Sequence, residues 1–315
     1  MPATRKTLFC SLLVGAALVW SGALSYGQSK QGDRFLSQVG SGERGGYVLV
    51  WEDLFDGESL DRGAWNVEVN GRGGGNAELQ YYCEENVGIS IEPTSGRRCL
   101  TLTARREPHK GKQFTSGRVN TMGKRAFTHG KVEAYIKLPK TANGLWPAFW
   151  LLGNDFPTIG WPRCGEIDIL EMGNVRGIAT DTQETYMNGA CHWGVRNAQK
   201  QHPSHAKHSN APYSLQDGEF HLFTMVWSER AIEMYVDIDK HPDVEPYFSL
   251  NIENTEGGEL AEGHYFHHDH FILFNLAVGG HFTGILQPEG ITALPSEEAE
   301  ARMYVDFVRV YQKKR

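Results

Sequence analysis

The stretch Gly165-Glu166-Ile167-Asp168-Ile169-Leu170-Glu171-Met172 decides how this chain folds. Three carboxylates fall between positions 166 and 171, and aliphatic side chains fill every gap between them. In a strand, alternate side chains share a face, so Glu166 and Asp168 point one way while Ile167 and Ile169 point the other. Glu171 breaks that parity and would face the core. A β-bulge near Ile169-Leu170 absorbs the extra residue and returns Glu171 to the carboxylate face.

The bulged stretch then behaves like an i, i+4 pair, with Cα atoms about 13 Å apart at about 3.3 Å per step. Two glutamates leaning together across that span approach the ~5–5.5 Å carboxyl separation of a retaining glycosidase, not the wider gap of an inverting one. A solvated acidic strand face is the bland alternative. It fits poorly, because like charges on one strand face repel and acidic residues are depleted in strands. A helix fits worse: Ile-x-Ile-Leu leans to β structure, and Gly165 and Gly173 punctuate the run. Clustered oxygens would also suit calcium. The aromatic lead-in Trp161-Pro162 points instead to a sugar-binding cleft.

Outward from that strand, the run from Trp161 to Glu171 resembles the active-site strand of glycoside hydrolase family 16 in its bulged, laminarinase-like form. Further matching stretches are Asn76 to Tyr82, Gly144 to Trp150, Asn275 to Gly280 and Val305 to Tyr311. They keep the family's order across about residues 47 to 313, nearly all of the chain beyond its leader. The resemblance implies an all-β jelly-roll sandwich of two curved antiparallel sheets, with the substrate cleft across the concave one. It implies an endo-acting, retaining hydrolase of β-1,3- or mixed β-1,3/1,4-glucan. A galactan hydrolase of agar or porphyran type and a non-catalytic glucan-binding protein on the same fold are the alternatives.

Glu166 is expected to be the nucleophile, Glu171 the acid/base with a raised pKa, and Asp168 the residue that tunes Glu166. Trp161, Trp146 and Trp193 are candidate sugar platforms, because indole faces stack on pyranose rings, while Trp150 is expected to pack inside. By resemblance, His192 lies beside the acid/base, and Asn76, with Glu78, lines the cleft. Asp306 resembles a calcium ligand far from the chemistry. No cofactor is expected for the reaction itself. After Gly279-Gly280 the chain reads His281-Phe282-Thr283-Gly284, a departure from the family pattern that makes His281 a candidate contact to substrate.

Residues 1–27 read as an export signal: Arg5 and Lys6, an apolar run from Leu8 to Trp20, then small residues. Residues 28–45 are a polar linker, and 46–315 the catalytic domain. The expected location is secreted, extracellular or periplasmic. Without Arg5 and Lys6 the chain has 29 basic and 38 acidic residues, a net charge of −9. That excess argues against nucleic acid or an anionic membrane as partner and leaves an uncharged polysaccharide. The chain is expected to act as a monomer. Four cysteines follow the leader, and Cys83–Cys99 with Cys164–Cys191 is the preferred of three pairings, against four free buried thiols.

Short alternating segments recur from Tyr47 onward. Lys131 to Leu138 places Val132, Ala134, Ile136 and Leu138 on one face, and Phe220 to Trp227 with Ile232 to Asp237 reads as a hairpin. Ser296 to Ala301 could form a helical turn. Residues 196–218 read as a polar insert carrying His202, His205 and His208, and a second cluster is His267-His268-Asp269-His270. Neither cluster has the partners of a zinc site, so both read as loop histidines. Asp237-Ile238-Asp239 begins like a calcium loop but lacks the required glycine and glutamate.

Overall fold

The computed structural model describes residues 46–199 and 201–314; the predicted export signal and linker lie outside them. The described chain is a sandwich of a ten-stranded and a seven-stranded sheet. Every strand pairing is antiparallel except that of Gln80–Tyr82 with Phe114–Ser116. The long strand Glu300–Lys313 crosses the larger sheet, pairing with Tyr47–Asp53, Arg98–Arg105 and Gly130–Lys137. The expected hairpin is present, His221–Trp227 against Ala231–Val236.

The smaller sheet positions the site. Its central strands are Tyr186–His192, Glu166–Met172, Leu145–Gly153 and His270–Val278, in that spatial order. Each is two-faced. Ile167, Ile169, Leu170 and Met172 join Phe149, Leu151, Ile272 and Phe274 in the main core, packed against Leu102, Ala134, Ile136 and Met225 of the larger sheet. Removing this much apolar surface from water is the principal force holding the sheets together. The other face of the smaller sheet is free to carry polar groups.

Three local expectations are corrected. Ser296 to Ala299 forms a turn, and the final strand begins at Glu300, so no helix forms there. The polar insert contains an edge strand, Ser204–Asn210, paired with Tyr186–His192 through seven residues. Its side chains are mostly exposed, as polar residues on a sheet edge should be. Cys83, Cys99, Cys164 and Cys191 are buried and are not bridged to one another. Cys191 lies opposite Ile167 and belongs to the main core, whereas Cys164 packs with Leu152 and Phe271 on the other face of the sheet. Opposed faces cannot meet the Cβ geometry of a disulfide. Cys99 is enclosed with Phe220 and Tyr304 in a cluster that does not include Cys83. Burial pushes the Cys164 thiol up to about 12 and Cys191 well above its ordinary value, so neither is a ready thiolate. Iodoacetamide in guanidinium, without prior reduction, should alkylate Cys83, Cys99, Cys164 and Cys191. A disulfide-linked peptide pair in the digest would contradict this arrangement.

Candidate active site

The carboxylate strand slips by one residue where the sequence requires it. Against Tyr186–His192, Glu166 lies opposite His192 and Asp168 opposite Ala190, then the register shifts and Glu171 lies opposite Asn188. Against Leu145–Gly153 the shift falls between Asp168 and Leu170, leaving Glu171 opposite Ala148. Ile169 and Leu170 both face the core, and all three carboxylates share the other face. Glycines bracket the strand for steric reasons. Gly165 has φ +72°, and a Cβ there would stand 2.7 Å from the Tyr265 carbonyl oxygen; Gly173 has φ +93°, and its Cβ would stand 2.0 Å from that of Leu145.

Each carboxylate has distinct neighbours. Glu171 accepts a hydrogen bond from Trp146 Nε1 at 3.1 Å on one oxygen and from Asn188 Nδ2 at 2.6 Å on the other. His192 Nε2 stands 3.4 Å from Asp168 Oδ2 and 4.0 Å from Glu166 Oε1. His192 acts on Glu171 as well, but the carboxylates within ion-pair reach of it are Asp168 and Glu166. Glu166, Asp168 and His192 place ligand atoms within 4.8 Å of one another, and His192 Nδ1 stands 3.0 Å from His202 Nε2.

Burial raises the pKa of all three carboxyl groups. Glu166 is pushed up to about 8 by desolvation and by the charge of Asp168, with His192 and Arg118 pulling it back. Glu171 is pushed up to about 8 by desolvation and Asp168, opposed by the Asn188 and Trp146 hydrogen bonds and by His192. Desolvation alone raises Asp168 to about 8. The cluster thus resists carrying three charges at neutral pH.

The aromatic expectations divide. Trp161 is half-buried beside the carboxylate strand, with the Arg196 guanidinium 4.6 Å from its ring centroid and the His202 ring edge-on at 4.5 Å. Trp146 is buried, stacked on Phe282 at 4.7 Å, and donates its indole N–H to Glu171. Trp193 is a core residue: it is buried, donates to the Leu260 carbonyl at 3.0 Å and packs edge-on against Phe266. Its parity is opposite to that of His192, which carries it inward. Trp150 shows the reverse correction. It lies opposite Asp168 on the carboxylate face, donates to Asn275 Oδ1 at 2.7 Å and has Arg118 4.9 Å from its ring.

Asn76 and His281 meet through backbone, His281 N donating to Asn76 O at 2.8 Å, with the His281 side chain exposed. Glu78 is buried, accepting from Gln80 Nε2 at 2.5 Å and Tyr82 OH at 3.1 Å, and is structural. Asp306 is fully buried and accepts from Arg97 Nη1 at 2.8 Å. The guanidinium supplies positive charge at that oxygen. Asn188 was not singled out by sequence reasoning, and His202 was noted only as one of three loop histidines of the polar insert. Asn188 was legible in principle, since Asn188, Ala190 and His192 share one strand face. His202 was not, because only the folded insert brings it back to His192.

A two-sheet β-sandwich with three carboxylates on one sheet face, flanked by tryptophans, defines a glycoside hydrolase. The chain belongs to glycosyl hydrolases family 16, whose pattern it matches over residues 79–247. It is similar to the Bacteroides ovatus mixed linkage glucan PUL GH16 solved with a G4G4G3G product, with 37% identity, a TM-score of 0.72, and 83% of this chain and 100% of that one covered. It is also similar to the catalytic domain of an endo-1,3-beta-glucanase (laminarinase) from Thermotoga petrophila, at 32% identity and a TM-score of 0.67, covering 86% and 100%. A beta-glucanase from Rhodothermus marinus is 31% identical, covering 84% of this chain and 85% of that one. The chain spans only 34% and 38% of the length of two further curated relatives.

A glutamate that ionises near 4.5 when unfolded but stays protonated to about 8 when folded makes folding less favourable as pH rises between those values. Glu166→Gln should therefore melt above the wild type at pH 8 and level with it at pH 4, in paired thermal scans. Equal melting temperatures at both pH values would show that Glu166 carries no such burden.

Proposed function

We propose that this chain is a secreted, monomeric, endo-acting hydrolase of β-1,3- or mixed β-1,3/1,4-glucan that works by retaining double displacement. The observation that carries the reading is the one-residue slip that sets Glu166 and Glu171 on one face with Asp168 between them. Glu166, whose raised pKa is opposed by His192 and Arg118, attacks the anomeric carbon as the carboxylate. Glu171, kept protonated by burial and by Asp168, delivers its proton to the leaving oxygen and then takes one from the attacking water. Trp146 and Asn188 hold its two oxygens in place through both steps. Asp168 spreads the negative charge and faces His192. Water and sugar acceptors compete for the glycosyl-enzyme, so some transglycosylation accompanies hydrolysis.

The names of the similar proteins, laminarinase and mixed linkage glucan GH16 among them, support a glucan substrate over a galactan. The intact carboxylates support catalysis over passive binding. No cofactor enters the steps. Reducing-sugar release from laminarin and barley β-glucan, with agarose as the control, tests substrate class. The protein for that assay is recovered from outside the cytoplasm, and its first residue should fall between 22 and 30. Glu166→Gln should lose activity by about 10⁴-fold or more while still binding the polysaccharide. Near-wild-type turnover in that variant, or agarose as the preferred substrate, would overturn the reading.

A further inference from the structure

The insert between the strands Tyr186–His192 and Ser204–Asn210 returns to the carboxylates. Trp193 N donates to the Pro203 carbonyl at 3.1 Å, and Asn197 N to that of Gln201 at 2.8 Å, so the insert closes as a hairpin end. His202 is thereby fixed beside the cleft. Its Nε2 stands 3.0 Å from His192 Nδ1, and its ring lies edge-on to Trp161. His192 is thus engaged on both nitrogens, Nδ1 by His202 and Nε2 by Asp168 and Glu166.

We propose that His202 is a positioning residue for the reaction: by partnering His192 Nδ1, it holds the His192 ring with a protonated Nε2 directed at Asp168 and Glu166. This rests on the retaining-hydrolase reading of those carboxylates. A neutral imidazole can donate or accept at Nε2 according to its tautomer. His202 can therefore serve His192 in both charge states, donating to Nδ1 when His192 is neutral and accepting from it when His192 is an imidazolium. Burial, with the His192 and Arg196 charges, pushes His202 down to about 4, which keeps it neutral where the carboxylates titrate. The other charged groups felt at this cluster are Glu171 and Arg118. Without His202, an N–H at His192 Nδ1 would lose the acceptor that stands 3.0 Å from it. The His192 ring would be free to turn, and Glu166 would lose part of the interaction with His192 that favours its ionisation.

The test uses the pH dependence of kcat/KM, whose acidic limb reports ionisation of the nucleophile in the free enzyme. His202→Ala should move that limb to higher pH, by about 0.5 to 1 unit. His202→Gln, whose amide can likewise donate or accept, should move it back. Nitrogen-15 correlation spectra of the wild-type histidines should show His192 protonated at Nε2. Those spectra need no variant and no activity, so they separate this inference from the glucanase reading and stand even if His202→Ala does not fold. A superimposable pH profile for His202→Ala, an equal shift in His202→Gln, or an unprotonated Nε2 in the wild type would each overturn the proposal.

Discussion

The site depends on one constraint: a strand in a sandwich has two faces, and only one can be wet. Ile167 and Ile169 anchor the strand Glu166–Met172 in the core, which fixes Glu166 and Asp168 outward. With perfect alternation Glu171 would be driven among Phe149 and Met225. Burying an unpaired carboxylate there would cost several kcal/mol. The slip after Asp168 removes that conflict by letting Ile169 and Leu170 both face inward. The hydrophobic core and the catalytic pair are thus satisfied by a single irregularity, and neighbouring strands adapt to it through Ala148 and Asn188.

The wet face is still poorly hydrated, and that shapes the chemistry. Trp146, Trp150 and Trp161 wall the carboxylates, so their charge is stabilised by chosen donors rather than by bulk water. Glu171 receives two such donors, whereas Glu166 faces His192 and Arg118 and Asp168 faces His192. This asymmetry lets neighbouring carboxyls take different roles, with one ionised while another keeps its proton. The cost falls on stability, and the apolar packing of Ile167, Phe149 and Phe274 behind the strand offsets it.

Much of this was legible in the sequence. The bulge follows from the spacing of three carboxylates against aliphatic residues. The faces of Gly130–Lys137 and the hairpin at Ser228 follow from alternation and turn chemistry. What failed was long-range. Trp193 and Trp150 are alike as residues, and only pairing register sends one to the core and the other to the cleft. The cysteines were paired on sequence neighbourhood, but opposed sheet faces keep Cys164 and Cys191 apart. The insert looked like a loop because its side chains are polar, yet an exposed edge strand needs no apolar face. His202 became visible only when that strand closed against its neighbour.

Proton NMR of the first product released from a soluble β-glucan tests the central claim most directly. If the slip brings Glu166 and Glu171 to ~5–5.5 Å separation, no water fits between them and the anomeric configuration is retained. The β-anomer should then appear first, with the α-anomer growing in only by mutarotation. An initial α-anomer would contradict the account, because it requires a water-wide gap and makes Glu166 a general base instead of a nucleophile.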